Sequence, residues 1–116
     1  WYMLPQEEEQ EFQTLLQLFK AEPTLQNELS RVSYEDLFSD AFMAEYSQFS
    51  SLDDLLFRGG FGIMNLLEVE NIPPERWDAY IAKYTPYSEW HDFGKKAMVF
   101  WMKKILAAAE QAKTPQ

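Results

Sequence analysis

Apolar residues recur along this chain at helical spacing in several separate stretches. In "QEEEQEFQTLLQLFKA", Phe12, Leu15, Leu16 and Phe19 fall at i, i+3, i+4 and i+7. That pattern puts them on one stripe of an α-helix. Glu7, Glu8 and Glu9 then occupy its first turn, where the helix dipole favours negative charge. Residues 1–5 read as a tail, and Pro23 closes the segment. "TLQNELSRV" has room for two helical turns. "SYEDLFSDAFMAEY" predicts one helix capped by Ser33, with Asp36 in the capping-box position and Phe38, Phe42 and Tyr46 along one face. "SLDDLLF" starts again behind Ser50 or Ser51, and "RGGFG" predicts a break at Gly59–Gly60 with one glycine as a C-cap. "IMNLLEVEN" reads as helical up to "IPP".

Pro73 and Pro74 suit the first turn of a further helix in which Trp77, Tyr80, Ile81 and Tyr84 repeat the stripe. After the turn "TPY", the longest helix runs from "SEW" toward Pro115. Its face is Trp90, Phe93, Ala97, Phe100, Trp101, Ile105 and Ala108. No stretch alternates with period two, and the turn clusters of β-hairpins are missing. The fold class expected is all-α.

One pattern spans larger distances. "DAFMAEYSQFS" at 40–50 returns as "DAYIAKYTPYS" at 78–88, an offset of 38 residues. Residues 40–64 overlay 78–102 without a gap and share 7 identities: Asp40/Asp78, Ala41/Ala79, Ala44/Ala82, Tyr46/Tyr84, Ser50/Ser88, Asp54/Asp92 and Met64/Met102. An arbitrary register of such a composition gives about two. The mismatches keep character, as in Phe42/Tyr80 and Phe49/Tyr87. The pattern describes a duplicated helix–turn–helix hairpin, which buries its apolar stripe against its own copy. The expected organisation of residues 1–116 is one domain. It comprises an N-terminal helical segment (6–32) acting as a lid, hairpin copy 1 (33–70) and hairpin copy 2 (71–112), the copies related by an approximate two-fold. Tyr46 and Tyr84 are expected to be largely buried, each with its hydroxyl hydrogen-bonded.

Composition changes this picture in two ways. Nine Phe, six Tyr and four Trp are many for 116 residues, and they supply either core or a binding face, where Tyr and Trp are enriched. There is no Cys, so disulfides, thiolate metal sites and Cys nucleophiles drop out. No run of 18 apolar residues suggests a membrane span. The chain opens on Trp1 rather than Met, as a piece of a longer or processed chain does. A cytoplasmic location is expected.

The net charge of −9 is unevenly spread. Residues 1–75 carry a balance of −12 and residues 76–116 a balance of +3. An acidic chain repels phosphate, which disfavours direct nucleic-acid binding. The split has two readings: attraction between the halves within one fold, or a field meant for a basic partner or a second copy.

Candidate chemistry is sparse. "GGFG" lacks the framing of a phosphate loop. His91 is the one histidine and has no Glu-x-x-His or H-x-x-x-H partner, which leaves it as a solvent-facing residue. Asp54 and Asp92 are matched carboxylates that an internal two-fold could bring together, although each also suits a first helical turn. The dense aromatic set Trp77, Tyr80, Tyr84, Tyr87 and Trp90, with His91, Asp92 and Asp54, forms the candidate interaction or pocket group. No catalytic or metal-ligating set and no cofactor is expected.

The leading expectation is a non-enzymatic interaction or regulatory module with a protein partner or a second copy. Two alternatives stand beside it. One is an acidic inhibitor that mimics DNA on a nucleic-acid-binding partner. The other is a ligand carrier or enzyme with a pocket between the hairpins.

Overall fold

A computed structural model describes residues 5–113, with side chains from residue 6 to 111. Of the expected tail at 1–5, residues 1–4 lie outside the described residues, as does Pro115, and Pro5 is the first residue of the first helix. Seven α-helices follow in order: α1 (Pro5–Ala21), α2 (Pro23–Ser30), α3 (Tyr34–Leu37), α4 (Asp40–Tyr46), α5 (Leu52–Arg58), α6 (Pro74–Tyr84) and α7 (Trp90–Lys113). A 3₁₀ helix (Leu66–Asn71) lies between α5 and α6. No strand occurs among the described residues. The chain is all-helical.

Short polar side chains start α3, α4 and α5, whereas α2 and α6 open on proline. Ser33 and Asp36 form the reciprocal capping box of α3. Ser51 accepts from the Asp54 amide at the start of α5. The segment 34–46, expected as one helix, is instead two. Ser39 takes extended backbone angles, and its hydroxyl accepts from the Phe42 amide 3.3 Å away, so α4 begins afresh. A serine hydroxyl competes with the helical backbone for such amides, and here it wins. α5 ends at Arg58 as expected: Gly59 is its C-cap and Gly60 has φ of 69°. A Cβ at Gly59 would lie 2.6 Å from the Phe61 ring and 2.9 Å from the Tyr80 ring. That close approach, rather than backbone angle, requires glycine there.

Apolar side chains collect in two clusters that share α7. The larger one packs Phe38, Phe42, Met43, Phe49, Leu55, Trp77, Tyr80, Ile81, Phe93 and Ala97. The smaller one packs Phe19 and Leu25 against Trp101 and Met102. The apolar stripe of α7 thus faces α3–α6 with its first half and α1–α2 with its second. α1 lies mainly along α2 and α7, rather than as a lid across both hairpins. Ala108 is exposed, because α7 runs on beyond its last packed residues.

The opposite charges of the two halves meet at the α1–α7 contact. Lys95 pairs with Glu9 and Lys103 with Glu11. Water and salt screen such pairs, so apolar packing carries most of the contact.

The turns after α4 and α6 are built alike. Ser47 Oγ donates to the Met43 carbonyl at 2.8 Å, and Thr85 Oγ1 donates to the Ile81 carbonyl at 2.9 Å. Each hydroxyl oxygen also accepts a backbone N–H two residues on, from Phe49 and Tyr87 respectively, at 3.0 Å. The turns touch through the Gln48 amide, which donates to the Tyr84 carbonyl at 2.8 Å. Tyr46 and Tyr84 depart from expectation. Both are half-buried, and neither hydroxyl makes a hydrogen bond among the described residues. Their rings lie under cations instead: Lys96 Nζ sits 5.0 Å from the Tyr46 ring centre, and the Arg58 guanidinium 5.4 Å from that of Tyr84.

Candidate functional site

The aromatic residues singled out by sequence are spread through the packing of α6 and α7. Trp77, Tyr80 and Tyr87 are buried, and Tyr84 and Trp90 are half-buried. Trp90 stacks on Phe38, with ring centres 5.1 Å apart and planes 16° apart. The Tyr80 hydroxyl donates to the Leu55 carbonyl at 2.6 Å. The last four carbonyls of a helix lack partners within it, and Leu55 is one of those four in α5. Burial pushes the Tyr80 phenol up to about 12. Tyr87 donates to Glu8 at 3.2 Å, which ties the α6–α7 turn to α1.

The polar candidates stand apart from one another. His91 is exposed. Asp92 lines a narrow cleft of about 170 Å³ between α1 and α7, with Glu8, Glu9, Glu11, Lys95 and Lys96. The Lys95 ammonium holds the Glu9 carboxyl below its ordinary value, helped by the Gln13 amide. Asp54 does not line this cleft. Its carboxylate accepts the Ser50 amide at 2.9 Å and pairs with Arg58 at 2.8 Å, and the Ser50 bond is the main cause of its lowered pKa. Asp78 caps α7 by accepting the Trp90 amide at 2.9 Å. Among the described residues no three His, Asp or Glu side chains converge as metal ligands, and no helix is long and apolar enough to cross a membrane.

Exposed apolar surface gathers elsewhere, around α3 and the 3₁₀ helix. Met64 is 70% exposed, Leu67 66% and Tyr34 45%. The local sequence explains why. Gly60 and Gly62 both take positive φ and redirect the chain after α5. Asn65 accepts from the Leu67 amide, while the Glu68 carboxylate accepts the Met64 and Asn65 amides, which fixes a tight turn. A 3₁₀ helix has three residues per turn, so Leu66, Val69 and Ile72 share its inner side. Leu67 and Glu70 are thereby turned outward. The result is a groove of about 410 Å³ walled by Tyr34, Phe38, Leu52, Leu56, Met64 and Leu66. It continues past Leu67 and Val69 to Trp90. Its rim holds Glu35, Asp40, Asp53 and Glu70, and no Lys or Arg lines it. None of these four carboxylates makes a hydrogen bond or ion pair among the described residues.

A second apolar groove, of about 510 Å³, lies between α4 and α7. Ala41, Tyr46, Val99 and Phe100 wall it, and Lys96, Lys103 and Lys104 form its rim. Ser39 lines both grooves, so the junction of α3 and α4 is the ridge between them.

Tyr34, Met64 and Leu67 are the residues that sequence reasoning passed over. The local pattern carries no signal for Leu67, because adjacent apolar residues share the core elsewhere in this chain, as Phe42 does with Met43 and Trp101 with Met102. No protein-family model matches the chain, and no curated protein or solved structure shows a significant match to it.

Proposed function

We propose that the protein is a non-enzymatic interaction module in which a duplicated pair of helical hairpins presents an apolar, acid-rimmed face to another protein. The observation that carries this reading is the exposure of Tyr34, Met64 and Leu67 around one groove. Scattered surface apolar residues are ordinary, but a contiguous apolar patch with a polar rim is the mark of an interaction site. Met adds adaptability, since its unbranched, polarisable side chain moulds to a partner. The unpaired rim carboxylates favour a basic counterpart.

The duplication is supported by contacts that exchange under the 38-residue offset. Arg58 lies over Tyr84, and its counterpart Lys96 lies over Tyr46. Phe42 packs on Phe93 at 5.2 Å, and their counterparts Tyr80 and Leu55 meet through the 2.6 Å hydrogen bond. α4 and α6 end at the matched residues Tyr46 and Tyr84, and α5 and α7 begin at the matched residues Leu52 and Trp90. In this reading the paired hairpins are the rigid support, and the segment that differs most between copies, from Gly59 to Asn71, carries the contact face.

Photocrosslinking in native extract tests the proposal. A photoreactive residue at position 67 is expected to give discrete protein adducts that are absent when it is placed at position 26, on the exposed side of α2. Equal, diffuse labelling at both positions would overturn the reading.

A further inference from the structure

We propose that the partner of this face is a second copy of the same chain: the Met64-centred, acid-rimmed face of one molecule seats in the lysine-rimmed groove between α4 and α7 of the other, reciprocally, across a two-fold axis beside Ser39. The inference rests on the interaction-module reading and deepens it by naming the occupant.

Two observations favour a second copy over an unrelated basic protein. The first is charge complementarity within one molecule. The face carrying Met64 is rimmed by Glu35, Asp40 and Asp53 with no cation, whereas the neighbouring groove is lined by three lysines and no carboxylate; Lys103 is paired with Glu11, which leaves Lys96 and Lys104 to meet the acidic rim. The second is adjacency. Ser39 lines both surfaces, so they lie on either side of one ridge. Two surfaces that complement each other and flank one ridge are what an isologous dimer needs, because a rotation about that ridge makes each meet the other twice. Shape agrees as well: Met64 stands 70% exposed, and the groove walled by Tyr46, Val99 and Phe100 is open and apolar. The net charge of −9 opposes association at long range, which makes the local pairing of opposite rims the decisive contribution.

The rims supply a test that does not depend on losing the fold. Glu35, Asp53 and Lys104 are exposed and make no hydrogen bond or ion pair among the described residues. Sedimentation equilibrium of the full chain is expected to show a reversible dimer. Glu35→Lys with Asp53→Lys in one variant, and Lys104→Glu in another, are each expected to weaken self-association by about tenfold or more, since like charges then face each other. Mixing the two variants is expected to restore dimers, because each altered rim then meets an opposite one. The chain has no cysteine, so Ala41→Cys adds a specific report: mild oxidation is expected to give a disulfide-linked dimer, and Gln26→Cys is not. A chain that stays monomeric at millimolar concentration, or variants that dimerise like the parent, would overturn the second-copy proposal. If crosslinks at position 67 then still join a different protein, the interaction-module reading stands without it. If those are absent too, both fall.

Discussion

At the residue scale, the contacts that fix the fold are single polar atoms and single missing atoms. Tyr80 joins α6 to the open end of α5 through one hydrogen bond. Tyr80→Phe is expected to cost about 1 kcal/mol at neutral pH, measured by urea unfolding. The pH dependence is specific. The Tyr80 phenol is raised from 10.0 to about 12 in the folded chain. A raised pKa gives stability that is fully present below the unfolded value and is lost as pH rises through the folded one. The advantage of the parent over Tyr80→Phe is therefore expected to shrink between pH 10 and 12. Gly59 works by absence. A methyl group there meets Phe61 and Tyr80 at sub-contact distances, so Gly59→Ala is expected to cost about 1–3 kcal/mol despite its ordinary φ. An unchanged melting temperature in Gly59→Ala would show that these rings are not packed as described.

At the element scale, the chain's own pattern placed most helices, because stripes of period 3.6 and caps at Ser33, Ser51 and Gly59 are local signals. What the pattern missed had a tertiary or competing local cause. The split between α3 and α4 hinges on one Ser39 hydroxyl, which the run of apolar residues concealed. The 3₁₀ geometry of 66–71 depends on Glu68 folding back on two amides, a choice invisible to periodicity. Tyr46 and Tyr84 do pack against the larger cluster, but their expected hydroxyl bonds are missing among the described residues, and Lys96 and Arg58 lie over the two rings. The candidate face escaped with the 3₁₀ turn: a helical reading of "IMNLLEVEN" does not turn Leu67 outward. Asp54 is held by the Ser50 amide and Arg58, and its pKa lies below its ordinary 3.8. A depressed pKa gives stability present above the unfolded value and lost as pH falls through the folded one. Asp54→Asn is accordingly expected to lower the thermal midpoint at pH 7, and the gap to the parent is expected to narrow as pH falls below 3.8. A gap that does not narrow would place the effect outside this carboxylate's charge.

At the scale of the whole molecule, structure and proposed work are separable. The densest aromatic packing lies in the interior and along α7, where it holds shape. Tyr34, Met64 and Leu67 stand outside around one groove, whereas the other exposed large apolar residues, Leu18 on α1 and Phe57 on α5, lie apart from it. That separation is tested by Met64→Lys with Leu67→Lys in one chain, measured for unfolding free energy and for complex formation by native size exclusion. Both residues are more than 60% exposed, so the double variant is expected to unfold within about 0.5 kcal/mol per substitution of the parent. It is also expected to lose the association that the parent shows. A variant that is as stable as the parent and associates as well as the parent would contradict the account.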